Sequence, residues 1–268
     1  MSIARTSLFT RIWRSMCVVT HLLRGVATVI FIFPRLSPEQ REETIRLWCV
    51  KILAILHVNV RARGHLPNIA TRATLFVANH VSWIDVWALK SQLPMRFVAK
   101  SEVRRWPIIG WLSAQTGTLF VERNKRQETG EAINSVEDAL RNNDNLCFFP
   151  EGTSTDGTTL QPFKTSLFQA AVNVRAHVCP VMIFYPHPHG GANTEAAFYG
   201  DLTLITSLRS VLSQKEIVVE LDFAEPLEAS QNDRRQLAEQ SRAAIAYRWN
   251  RLLRTVPETA ADLPAATP

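Results

Sequence analysis

The sequence predicts an α/β protein, a largely buried mixed or mainly parallel sheet flanked by helices, with a helical hairpin at its N-terminus. Three observations predict it. From residue 58 onward, short apolar runs of strand length alternate with stretches of helical spacing, the pattern of a sheet covered on both faces. Several of those runs break off into polar loops. Residues 1–35 hold a long apolar stretch and five arginines but no acid.

The elements follow in order. The apolar stretch covers residues 16–33, 18 positions interrupted by His21 and Arg24. A spanning helix needs roughly 20 apolar residues, and a charge near its middle is costly. The segment therefore either spans a bilayer or lies half-inserted with its arginines snorkelling to the headgroups. Phe33-Pro34-Arg35 lacks the small residues of a signal cleavage site. A second helix opens at Ser37-Pro38-Glu39, where Ser37 can cap and Pro38 fits the first turn. Ile45, Trp48, Cys49, Ile52, Ile55 and Leu56 continue it at helical spacing. Residues 1–57 thus predict a membrane-associated helical segment, with both helices on or in the bilayer.

Strands are expected at 58–62, 74–78, 95–99, 118–121, 146–149, 178–185 and 217–223. Helical faces lie at Ile133, Val136 and Leu140, at Leu167, Phe168, Ala171 and Val172, and over 233–253. Residues 58–256 predict the α/β domain, and 257–268 a disordered tail.

The formal net charge is +6. Outside residues 1–35 there are 25 basic and 24 acidic side chains, so the excess sits beside the apolar stretch. That placement favours anionic lipid headgroups and argues against nucleic acid as a partner. The four cysteines form no CxxC pair. They predict buried apolar residues in a reducing compartment, with neither a disulfide framework nor a zinc site.

Three loops carry chemistry. Asn79-His80-Val81-Ser82-Trp83-Ile84-Asp85 follows the run at 74–78. An Asp folded back on His80 from the first turns of a helix would fix the imidazole tautomer and leave the other nitrogen as a base. Phe149-Pro150-Glu151-Gly152-Thr153-Ser154 follows another run. There Pro150 stops the strand, Gly152 permits tight backbone, and Glu151 serves either an acceptor or the loop itself. Gly117-Thr118-Leu119-Phe120-Val121-Glu122-Arg123 ends in a guanidinium able to grip a phosphate with two bonds. Residues 88–126 hold eight basic and two acidic side chains, Lys100 among them. In a mainly parallel sheet these loops share one edge, so His80, Asp85, Arg123 and Glu151 are expected in one cleft.

Together the blocks resemble the glycerolipid acyltransferase family. Its N-H-x-S-x-x-D block matches Asn79, His80, Ser82 and Asp85; its G-x-x-F-x-x-R block matches Gly117, Phe120 and Arg123. Its F-P-E-G-T block matches Phe149 to Thr153, and its Val-Pro-like strand is met by Cys179-Pro180-Val181. The resemblance implies His80 as general base, Asp85 as its orienting partner, and Arg123 with Lys100 on the acceptor phosphate. Glu151, Gly152 and Thr153 would shape the acceptor site. It further implies an acyl-CoA or acyl carrier protein co-substrate, a lysophospholipid acceptor (1-acylglycerol-3-phosphate first), and no cofactor, metal or acyl-enzyme. The setting would be a bacterial inner membrane, with the catalytic domain on its cytoplasmic side.

One departure bears on the acceptor. Many phosphatidate-making members carry Arg after F-P-E-G-T, where this chain has Ser154. That residue and Phe198-Tyr199-Gly200-Asp201 look like the bacterial branch of lyso-ornithine lipid acyltransferases. Rival readings are weaker. No G-x-S-x-G elbow supports a serine hydrolase. His187-Pro188-His189 has no third ligand at useful spacing for a metal. A non-enzymatic binder rests on the basic excess alone.

Overall fold

The computed structural model describes residues 3–66, 68, 73–121 and 126–255, and the side chains of all of these but 126–129, 254 and 255. The expected tail at 257–268 lies outside them. The strands are β1 (Val58–Gly64), β2 (Thr74–Ala78), β3 (Arg96–Lys100), β4 (Leu119–Val121), β5 (Leu146–Phe148), β6 (His177–Phe184), β7 (Ile217–Phe223) and β8 (Leu227–Glu228). Seven match expectation within a residue or two. β8 has only two residues and carries no readable pattern.

They form one mixed sheet in the order β1-β7-β6-β2-β5-β3-β4, with β8 on β6. The run from β6 to β4 is parallel. β7 is antiparallel to β6 and parallel to β1. Five neighbouring strands therefore point their C-terminal ends at one edge. β2 lies inside that group, between β6 and β5.

The helices are α1 (Leu8–Ala27), α2 (Pro38–Ile55), α3 (Ile84–Gln92), α4 (Ile109–Gln115), α5 (Arg126–Arg141), α6 (Phe168–Val174), α7 (Leu204–Ser213) and α8 (Arg234–Thr255). They cover both faces. Phe76 and Ala78 pack with Ile52, Leu89 and Val211; Leu75 and Val77 pack with Val136, Phe168 and Leu237. Burial of alternate residues on opposite faces explains why the β2 run is apolar throughout.

The N-terminal helices depart from expectation in two ways. α1 begins at Leu8, eight residues before the apolar run, and continues through a π turn at Thr28–Ile32 and a 3₁₀ turn at Phe33–Arg35. Ser7 caps it by accepting from the Thr10 N–H at 3.1 Å. Leu8–Arg35 is the one helix among the described residues long and apolar enough to cross a membrane. Leu8, Ile12, Met16, Val19 and Leu23 are exposed on one face. On the other face Arg14 is buried, and its guanidinium donates to the carbonyls of Gln214 at 2.7 Å and Lys215 at 3.2 Å. Arg14 thus satisfies carbonyls just beyond the C-terminus of α7, whereas the half-inserted alternative had the arginines snorkelling to headgroups.

α2 starts at the expected cap, Ser37, which forms a capping box with Gln40. Its periodic residues Cys49, Ile52 and Leu56 are buried, and α2 packs broadly on α3. The apolar spacing of α2 therefore reads the protein core, and of the two helices α1 exposes more large apolar side chains. The two helices interlock at Gly25, where an added Cβ would lie 2.8 Å from Trp48 Nε1. His21 stacks on the same indole at 4.6 Å.

Candidate active site

β2 ends by handing its ladder to a side chain. Asn79 Nδ2 donates to the Ile183 carbonyl and its Oδ1 accepts from the Ile183 N–H, both at 2.8 Å. This amide mimics a strand residue and fixes the start of the loop against β6. His80 follows at the open edge.

α3 begins two residues after Ser82, which puts Asp85 in its first turn. Asp85 Oδ2 accepts from the N–H groups of Val81 at 2.8 Å and Ser82 at 2.9 Å. The same oxygen meets His80 Nδ1 at 2.8 Å. One carboxylate therefore closes the loop, favours the helix N-terminus and orients the ring. With Nδ1 engaged by the carboxylate, Nε2 is the ring nitrogen left to act as a base. Nε2 has no protein partner among the described residues. Asp85 is fully buried, while His80 lines a cleft. Behind the ring, Phe149 stacks at 3.9 Å and 7°.

Tyr185 was not singled out from the sequence. Its hydroxyl donates to Asp85 Oδ1 at 2.5 Å from the residue after β6. Burial, and then the Asp85 charge, hold its pKa well above the ordinary phenol range, so it remains a donor. The available signal was a lone polar group closing an apolar strand on the edge that carries His80.

Glu151 is buried too, and both its oxygens are taken. Oε1 accepts from the His80 N–H at 2.7 Å and Oε2 from the Gln161 N–H at 2.9 Å. Burial pushes its carboxyl up, opposed by those two donors. Of the two roles left open by the sequence, this geometry gives Glu151 the bracing of the loops. Gly152 turns the chain with φ 75°, and Thr155 N–H donates to the His80 carbonyl at 2.9 Å. Two buried carboxylates thus hold the general-base candidate, one through its ring and one through its backbone.

The cleft encloses about 370 Å³. Its walls include Lys100 at the end of β3, Glu102, Trp106, Gly152, Thr153 and Tyr199. Lys100 and Thr153 are exposed. β4 ends at Val121 on the same edge; Arg123, expected there, lies outside the described residues. The structure also joins two features that stood apart in the sequence. Ser154 Oγ donates to the Phe198 carbonyl, and Phe198 N–H donates to the Val81 carbonyl at 2.8 Å. The Phe198-Tyr199-Gly200 segment therefore forms a wall beside His80. His187 and His189 are not part of that wall, and among the described residues no group of three or more His, Cys, Asp or Glu is placed to hold a metal ion.

Comparison with known proteins bears on this arrangement. A family model described as Acyltransferase matches residues 57–184. A 1-acyl-sn-glycerol-3-phosphate acyltransferase of Neisseria gonorrhoeae is 30% identical over 92% of this chain and 97% of its own. A lyso-ornithine lipid O-acyltransferase of Pseudomonas aeruginosa is 35% identical over 76% of this chain and 78% of its own. Among solved structures, the 1-acyl-sn-glycerophosphate (LPA) acyltransferase PlsC from Thermotoga maritima superposes with a TM-score of 0.70 at 19% identity, covering 91% of this chain and 95% of that one.

Proposed function

Because the chain belongs to the acyltransferase family that includes the 1-acyl-sn-glycerol-3-phosphate and lyso-ornithine lipid O-acyltransferases, we propose that it moves a fatty acyl group from acyl-CoA or acyl carrier protein onto the free hydroxyl of 1-acylglycerol-3-phosphate. The observation that carries this reading is the His80–Asp85 contact at 2.8 Å, with His80 lining the cleft. In the proposed step His80 Nε2 takes the proton of the acceptor hydroxyl as its oxygen attacks the thioester carbonyl. The C–S bond then breaks, and the thiolate leaves with that proton. Asp85 stabilises the imidazolium formed between the two events. The Gly152–Thr153 turn and Lys100 would meet the acceptor headgroup, with Arg123. The exposed apolar face of α1 would hold the cleft against a bilayer that supplies the acceptor.

A second acceptor, lyso-ornithine lipid, is favoured by the cleft wall. Ser154 offers no cation where other members carry Arg, and Lys100 and Glu102 bring opposite charges to one cleft. That pair complements a headgroup holding both a carboxylate and an amine. The test is labelled acyl transfer to both acceptors by the wild type and by Ser154→Arg. The first reading expects phosphate-acceptor preference in the wild type. The second expects ornithine-acceptor preference, moved toward the phosphate by Ser154→Arg. No product with either acceptor would overturn both.

A further inference from the structure

Tyr185 is held at both ends. Its hydroxyl donates to Asp85 Oδ1 at 2.5 Å, and its carbonyl accepts from the Asn193 N–H at 2.7 Å. Asn193 sits in the loop between β6 and α7, and its Nδ2 donates to Gln214 Oε1 at 2.8 Å. Gln214 follows the last residue of α7, and its carbonyl accepts from the Arg14 guanidinium of α1 at 2.7 Å. The residues before α1 hold the same spot. The Thr6 N–H donates to the Ser213 carbonyl at 2.8 Å, and the Lys215 N–H to the Ala4 carbonyl at 3.1 Å. A line of hydrogen-bonded residues thus runs from α1 to the acid behind His80.

This network is sealed from water. Arg14 is 5% exposed, Asn193 2%, Tyr185 1% and Gln214 0%. Among the described residues, Arg14 Nε, Asn193 Oδ1 and Gln214 Nε2 have no hydrogen-bond partner. Each such atom is destabilising, and apolar side chains of like size would pack here without it. Stability therefore does not account for a polar network at this place. Hydrogen bonds do what apolar contacts do not, which is to fix direction. The direction fixed here is that of Tyr185 toward Asp85.

On the acyl-transfer reading above, we propose that Asn193 and Arg14 are positioning residues for the His80–Asp85 pair, and that acyl transfer requires α1 to be seated on the end of α7. With α1 seated, Arg14 fixes Gln214, Gln214 fixes Asn193, and Asn193 keeps the Tyr185 hydroxyl on Asp85. With α1 displaced, the Gln214 carbonyl loses its cation and the loop carrying Asn193 loosens. Tyr185 then no longer braces Asp85 from the far side, and the His80 ring loses its fixed aim. Arg14, Asn193 and Tyr185 lie outside the walls of the cleft, so they act on the reaction only through Asp85. Because α1 also carries the exposed apolar face, catalysis is tied to the helix best suited to a bilayer.

The experiment is a double-mutant cycle read in kcat and KM for labelled acyl transfer, using the full chain in vesicles. Asn193→Leu, Arg14→Met and Tyr185→Phe are made singly, and each of the first two is combined with the third. Melting temperatures show which variants are folded. Each single substitution is expected to lower kcat roughly tenfold with KM unchanged. In the Tyr185→Phe background, Asn193→Leu and Arg14→Met are expected to lower kcat no further, because the hydroxyl through which they act is gone. Arg14→Lys, which keeps a donor for the Gln214 carbonyl, is expected to retain more kcat than Arg14→Met. Losses of kcat that multiply in the double variants, or single variants with wild-type kcat, overturn the positioning role. Asn193 and Arg14 are separate links, so either cycle decides where the other variant fails to fold. A wild type that transfers no acyl group would instead overturn the acyl-transfer reading itself.

Discussion

Tyr185 donates its hydroxyl to Oδ1 of Asp85 at 2.5 Å, on the far side of the carboxylate from His80. The buried acid is therefore held from two strands, β2 through the His80 loop and β6 through Tyr185. Tyr185→Phe removes one donor and leaves Oδ1 buried without its partner. The expected cost is about 1–3 kcal/mol of stability. Because Tyr185 is buried and does not line the cleft, kcat should fall while KM holds, by roughly tenfold for 1.4 kcal/mol. A rise in KM at constant kcat would contradict a positioning role.

Glu151 predicts a pH dependence of stability. Burial raises its folded pKa above the unfolded value. Its contribution is then fully present below the ordinary carboxylate range and is lost as pH rises through the raised value. Glu151→Gln removes that titration and turns an amide NH₂ toward one of two backbone N–H groups, at a cost of about 1–3 kcal/mol. The melting-temperature gap between wild type and variant should narrow as pH rises through the carboxylate range. A gap independent of pH would show that this carboxyl is not raised in the folded state.

The α1 face predicts bilayer attachment. Ile12 and Val19 are exposed on it, away from the buried contacts of Arg14, Val18 and Gly25. Ile12→Asp with Val19→Asp should leave the melting temperature unchanged and reduce co-sedimentation with anionic vesicles. An Asp deep in the bilayer costs about 2.5–3.5 kcal/mol, so a loss of tenfold or more is expected. Undiminished sedimentation would place the membrane contact elsewhere.

Much of this was legible in the sequence because its signals are local. Leu75, Phe76 and Val77 declared a strand buried on both faces, and Ser37 with Pro38 declared a helix start. The His80–Asp85 pair was readable because five residues separate them across one strand end. Tyr185 was not, since it lies 100 residues from Asp85 and only the parallel pairing of β2 with β6 brings them together. The same holds for Ser154 and Phe198. α2 misled because helical spacing shows that a face is covered without showing what covers it. In α1, an arginine within an apolar helix reads the same whether it caps α7 or meets a headgroup.

In the proposed mechanism His80 is the base. The most direct measurement is kcat/KM for labelled acyl transfer by wild type and His80→Ala, using the acceptor that the wild type prefers, with melting temperatures recorded alongside. A loss of roughly 10²–10⁴-fold in a variant that melts as the wild type does is the predicted result. An equally folded His80→Ala that transfers acyl groups at the wild-type rate would contradict it.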